Sequence, residues 1–300
     1  MHTAAVVGLI LFLTCGLVVA VPPATKPSAP PAAKVTRDVV YATPAGIKLK
    51  LDASVPATPG PHPAVILVHG GAWQAGDKTN FRALFQPLTD AGYAWFSVNY
   101  RLAPKFTVPA CVDDVETAVK WVKDHAAEYD IDPTRVALLG ESAGGHLVEL
   151  VAARSEANSP LRPAAVVAFY APCDLPALAV SAEANGIAIR PMLSKLFGRN
   201  QFDDTAERLL RDASPLTHVK AGLPPFLLLH GTADTLVPIA QSTAFQAALR
   251  AVGVPCDLVT VPGGPHGMIL WNMIDQSYKA KVLKFLDETI KTPAAPAKRA

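Results

Sequence analysis

The stretch GESAGG at residues 140–145 joins two apolar runs of different period, and so places Ser142 at a sharp turn from strand to helix. Before it, RVALL (135–139) is a short apolar run of the kind that lies buried in a sheet. After it, Leu147, Leu150 and Val151 are spaced for one face of a helix. Small residues on both sides of Ser142 permit a strained turn and a close approach of helix to strand, which leaves the hydroxyl exposed. In that setting Ser142 is a nucleophile candidate.

Three further strand-like runs end in polar or glycine-rich motifs. AVILV (64–68) leads into His69, Gly70, Gly71, Ala72 and Trp73; FLLL (226–229) leads into HGTAD, ending at Asp234; LVTV (258–261) is followed by PGGPHG, which holds His266. An ordinary turn accounts for any one of these. All four in the order HGG loop, Ser, Asp, His, each just past a strand end, follow the chain order of an α/β-hydrolase.

The remaining pattern alternates in the same way. Residues 36–43 and 47–53 read as an antiparallel pair around Pro44, Ala45 and Gly46. Strands are expected at 64–68, 93–98, 135–139, 165–169, 226–229 and 258–261. Helices are expected at 80–90, 109–128, 241–252 and 274–290. Such alternation predicts an α/β fold with a mostly parallel central sheet flanked by helices. Residues 175–216 break the rhythm: they hold no strand-like run, a helix-like piece near 191–197, and a polar stretch over 198–212.

With these pieces in view the chain resembles the α/β-hydrolase esterases and lipases, the group that includes hormone-sensitive-lipase-like enzymes. It is most similar to bacterial secreted carboxylesterases of the feruloyl and acetyl esterase type. The matching segments are HGGAWQAGDK (69–78), SVNYRLAP (97–104), IDPTRVALLGESAGGHL (131–147), ASPLTHV (213–219), HGTADTLVP (230–238) and VPGGPHG (261–267). They span about residues 36–290. Two positions depart from the hormone-sensitive-lipase pattern: Ala72 replaces the third glycine of HGGG, and Glu141 stands where Asp is commoner. In this fold, an insertion at 175–216 resembles a small cap beside the site; the alternative is a long surface loop.

The resemblance implies a serine esterase. A hydroxyl is a poor nucleophile until an imidazole takes its proton, which assigns Ser142 and His266 as a pair, with Asp234 holding the imidazole. Backbone N–H groups of Gly70, Gly71 and Ala143 form the expected oxyanion hole, with Ala72 as a further donor. Trp73 has two readings, loop packing or a wall of the substrate pocket. His69 is expected to brace the oxyanion loop, His230 to be a core histidine and His146 to cap or pack. Asp257 and Asp174 are the other acids considered. The substrates implied are short-chain acyl or aromatic-acid esters, small or attached to plant polysaccharide, with no cofactor and no metal. The rival readings are an amidase or peptidase of the same fold, such as an arylformamidase or prolyl peptidase, and an inactive binding protein.

Composition bounds the rest. Three hundred residues with half of them hydrophobic suit one such domain, over about 36–292. The 27 basic residues are scattered and the net charge is +2, so no nucleic acid partner is expected. The uncharged run 4–21 reads as a signal peptide ending near Ala20, or as an uncleaved membrane anchor, and 21–35 as a Pro/Ala-rich spacer. The protein is therefore expected to be secreted or periplasmic, or anchored by that segment. Beyond Cys15, the cysteines Cys111, Cys173 and Cys256 are expected to be buried thiols, with at most one disulfide between them.

Overall fold

The structure is a computed structural model that describes residues 33–291; the signal-peptide or anchor segment, Cys15 and most of the spacer lie outside the described residues. Strands β1 (Lys34–Ala42), β2 (Leu49–Val55), β3 (His62–Val68), β4 (Ala94–Val98), β5 (Ile131–Glu141), β6 (Ala165–Phe169), β7 (Phe226–Gly231) and β8 (Cys256–Val261) form one sheet. Their order is β1-β2-β4-β3-β5-β6-β7-β8. β2 pairs antiparallel with β1 and with β4, and the six strands from β4 to β8 run parallel. β3, β4, β6 and β7 are buried at every residue. Helices cover both faces, which is why these strands read as unbroken apolar runs.

Side chains alternate across the sheet and feed two cores. On one face Ile66, Val68, Phe96, Leu138, Val166 and Leu228 pack with α2 (Val108–Asp124), α3 (Ala143–Arg154) and α7 (Ala240–Ala251). On the other, Val65, Leu67, Trp95, Leu139, Val167 and Leu229 pack with α1 (Arg82–Asp90) and α9 (Ser277–Leu286). The register pairs Val68 with Gly140, Glu141 with Phe169, and Gly231 with Val261. The loops after β3, β5, β7 and β8 therefore emerge at the same edge of the sheet, and those loops carry the four sequence motifs.

The insertion between β6 and β7 is helical, not a surface loop. It contains α4 (Leu175–Ala184), α5 (Arg190–Lys195) and α6 (Asp204–Asp212), followed by a 3-10 turn at Pro215–His218. The stretch read as merely polar is thus a helix: Asp203 caps α6 by accepting the Ala206 N–H, and only Ala206 and Leu210 face inward. α4 also escaped the sequence reading; Asp174 caps it in the same way. The expected helix 274–290 begins later, at Ser277, because Met268–Trp271 forms a separate short helix, α8, and the exposed Met273 and Ile274 link the two.

Candidate active site

The turn after β5 is as tight as its composition predicts. Ser142 takes φ +51° and ψ −119°, a region that costs a side-chain-bearing residue about 1–3 kcal/mol. Its N–H donates to the Phe169 carbonyl at 2.8 Å, which pins the turn to β6. α3 can start at once because Gly144 lacks a side chain: a Cβ there would run into the Val68 and His69 carbonyl oxygens. Gly140 and Gly144 face each other under the same constraint.

The structure brings Ser142, His266 and Asp234 into one line. His266 Nδ1 lies 2.7 Å from Asp234 Oδ2, and Nε2 lies 2.9 Å from Ser142 Oγ. A carboxylate only accepts, so Nδ1–H is the donor and Nε2 is left to accept the serine hydroxyl. The Asp234 side chain is fully buried, while His266 keeps 19% of its side-chain surface. Burial alone would raise the Asp234 pKa. Hydrogen bonds from His230, His266 and the Val237 N–H, with the charge of His266, outweigh burial and hold it well below the ordinary carboxylate range. Asp257 is exposed and paired with Arg250 at 3.3 Å, and Asp174 is a helix cap.

The loop 69–76 packs directly on the turn. A Cβ on Gly70 would sit 2.9 Å from the Glu141 carbonyl oxygen and 3.1 Å from Ser142 Cβ. Glycine is required for that approach. The N–H groups of Gly70, Gly71 and Ala72 donate to no acceptor among the described residues, and Ala143, as the first residue of α3, has no carbonyl one turn before it. Ala72 takes φ +52°, the left-handed region in which the glycine it replaces would be unstrained. His69 donates from Nδ1 to the Gly70 carbonyl (2.8 Å) and stacks on Tyr100, whose hydroxyl donates to the His69 carbonyl (3.0 Å). Burial lowers the His69 pKa.

The other residues singled out from sequence have partners elsewhere. Trp73 is buried; its indole N–H donates to His146 Nδ1 at 3.2 Å and the rings meet edge-on, so that N–H is not free for a substrate. His146 donates from Nε2 to the Ala213 carbonyl at 2.7 Å, and burial pushes its pKa down to about 4. His230 accepts from Ser242 on Nδ1, and its Nε2–H is shared between the Val237 carbonyl at 2.8 Å and Asp234 Oδ2 at 3.4 Å. Cys111, Cys173 and Cys256 are buried free thiols, and burial raises the pKa of each. Sequence reading passed over Tyr170, whose ring lies 4.6 Å from His266; its only local signal is an aromatic residue just past the end of β6.

A family model described as BD-FAE matches residues 51–249, more than half of the chain. The chain belongs to the BD-FAE family. This BD-FAE chain is similar to the probable carboxylic ester hydrolase LipM of Mycobacterium tuberculosis, at 34% identity over 79% of this chain and 56% of that protein. It spans about half the length of the curated relatives it matches. Among solved structures it is similar to a truncated carbohydrate esterase from gut microbiota, with TM-score 0.71 and 25% identity over 85% of this chain and 95% of that one. It is also similar to the butyrate-bound thermophilic esterase Est2 of the planctomycete Thermogutta terrifontis, with TM-score 0.69 and 27% identity over 88% and 97%. The BD-FAE chain has the α/β-hydrolase fold.

Proposed function

We propose that this chain is a carboxylic-ester hydrolase that works through an acyl-enzyme on Ser142. The observation that carries the reading is the line Ser142–His266–Asp234, at 2.9 and 2.7 Å, beside the N–H groups of Gly70 and Gly71, which have no acceptor among the described residues. Ser142 Oγ attacks the ester carbonyl carbon while its proton passes to His266 Nε2. The carbonyl oxygen becomes an anion and takes N–H groups of Gly70, Gly71 and Ala143. His266 returns the proton to the leaving alcohol. It then deprotonates a water that attacks the acyl carbon, freeing the acid and regenerating Ser142. Asp234 keeps Nδ1 protonated and stabilises the imidazolium between these steps.

The substrates we propose are short-chain acyl or aromatic-acid esters, including those attached to plant polysaccharide. Three observations support this. The solved relatives include a carbohydrate esterase and an esterase holding butyrate. The insertion between β6 and β7 is only three short helices. Exposed Leu236, Ile269 and Leu270 lie in the segments that carry Asp234 and His266, and offer apolar surface to an acyl or aryl group. The test compares matched esters and anilides of acetate, butyrate and ferulate. Ester turnover with negligible anilide cleavage is expected; preferential anilide cleavage overturns the reading in favour of an amidase. The apolar run 4–21 further supports export, with Ala20 as the last residue removed.

A further inference from the structure

Tyr170 has no part in the reaction above, yet it touches both halves of the site. It follows β6 directly at φ +37°, a conformation that a side-chain-bearing residue keeps only where its surroundings hold it. Its hydroxyl donates to Glu141 Oε2 at 2.6 Å and accepts the Met268 N–H at 2.9 Å. Glu141 immediately precedes Ser142, and Met268 comes two residues after His266. The Tyr170 ring lies 4.6 Å from the His266 ring and 5.2 Å from Trp271. On the other flank of His266, the Trp271 indole N–H donates to the Pro265 carbonyl at 2.7 Å.

We propose that Glu141 and Tyr170 are positioning residues that hold the loop carrying His266 at working distance from Ser142. The inference rests on Ser142 and His266 acting as nucleophile and base. Ser142 and His266 are 124 positions apart in the chain, and their loops meet without a shared strand. The phenol bridges them, donating to the Glu141 side chain at 2.6 Å and accepting the Met268 N–H at 2.9 Å. Burial, and then the Glu141 carboxylate, raise the Tyr170 pKa, so the bridge keeps its proton wherever the base works. The ring itself closes one side of the imidazole and limits its rotation. Glu141, which differs from the commoner Asp, has the extra methylene that this bond uses.

The test measures kcat, KM and thermal unfolding on a soluble nitrophenyl butyrate for Tyr170→Phe, Glu141→Ala, the double variant and Glu141→Gln. Tyr170→Phe keeps the ring against His266 and removes only the hydroxyl. Misplacing a reacting group by about 1 Å costs on the order of 100-fold, so a partial drift should lower kcat at least about ten-fold in each single variant. KM should stay within about two-fold, because substrate contacts are untouched. The double variant should lose no more than the worse single one, since both remove the same bond. Glu141→Gln, whose amide oxygen still accepts the phenol, should recover most of the kcat lost in Glu141→Ala. A folded Tyr170→Phe with kcat within about two-fold of the parent overturns the proposal, as do losses that multiply in the double variant or a change confined to KM. If Tyr170→Phe does not fold, the contrast between Glu141→Ala and Glu141→Gln decides by the same split. Ser142→Ala, run alongside, separates the two readings: turnover surviving there removes the nucleophile assignment, whereas an inactive Ser142→Ala beside an unaffected Tyr170→Phe removes only the brace.

Discussion

In the proposed reaction Ser142 is an ordinary alcohol made reactive by position, so single atoms decide the chemistry at the residue scale. Ser142→Ala and His266→Ala should each reduce ester turnover on the order of 10⁶-fold, because nucleophile and base act as a unit. Asp234→Asn should cost about 10⁴-fold through the wrong imidazole tautomer. Asp257→Asn, at an exposed Arg250 pair, should leave kcat near the parent value. Steady-state kinetics of the four variants checks this, and an Asp257 effect larger than the Asp234 effect contradicts the geometry. The positions of the three side chains were legible in sequence because each follows a strand end with a local pattern: Ser142 and Asp234 come after the buried runs of β5 and β7, and His266 after the half-exposed edge strand β8. The Glu141–Tyr170 bond spans 29 residues and the Trp73–His146 bond 73, and neither leaves a periodic trace. Trp73 shows the result: its sequence context fits loop packing and a pocket wall equally, and only the packing identifies His146 as its partner.

At the scale of elements, glycine sets how closely α3 meets β3. Gly144→Ala must displace the Val68 and His69 carbonyls or unwind the first turn of α3. Overpacking of this kind costs about 1–3 kcal/mol, so urea unfolding should shift to lower midpoint with unchanged slope. An unaltered midpoint contradicts the close approach. The short insertion makes a second prediction, about substrate length. Each buried methylene is worth about 0.8 kcal/mol, so a long apolar tunnel shows as kcat/KM rising with chain length. Three short helices should instead give a plateau near butyrate and then a fall; kcat/KM still climbing beyond octanoate contradicts the proposed preference for short acyl groups. β3, β4, β6 and β7 were legible because burial on both faces makes them continuous apolar runs. α6 was not, because its nine residues carry two buried side chains among many charges.

Across the whole molecule, buried ionisable groups make stability depend on pH with opposing signs. His146 accepts the Trp73 indole on Nδ1, so protonation there loses that bond and adds a buried charge. With its pKa near 4 when folded and about 6.5 when unfolded, the unfolded chain binds more protons between those values. Its contribution, about 3 kcal/mol, is complete above pH 6.5 and lost as pH falls to 4. Glu149 acts the other way. It is buried on α3, its Oε2 has no partner among the described residues, and burial raises its pKa well above the ordinary value. Its contribution is complete below about pH 4.3 and lost as pH rises above that. His146→Gln should therefore flatten the fall in stability from pH 6.5 to 4, and Glu149→Gln should gain stability relative to the parent as pH rises. Urea midpoints measured from pH 4 to 8 check both, and parallel curves for parent and variants contradict the assignments.

Every role proposed at the site depends on Ser142 being the nucleophile of ester hydrolysis. The direct measurement is titration with a fluorophosphonate, following butyrate ester turnover and mapping the adduct by peptide mass spectrometry. One phosphonyl group per chain is expected, on Ser142, with activity lost in proportion to labelling. An adduct on any other residue, or full labelling of Ser142 with turnover intact, contradicts it.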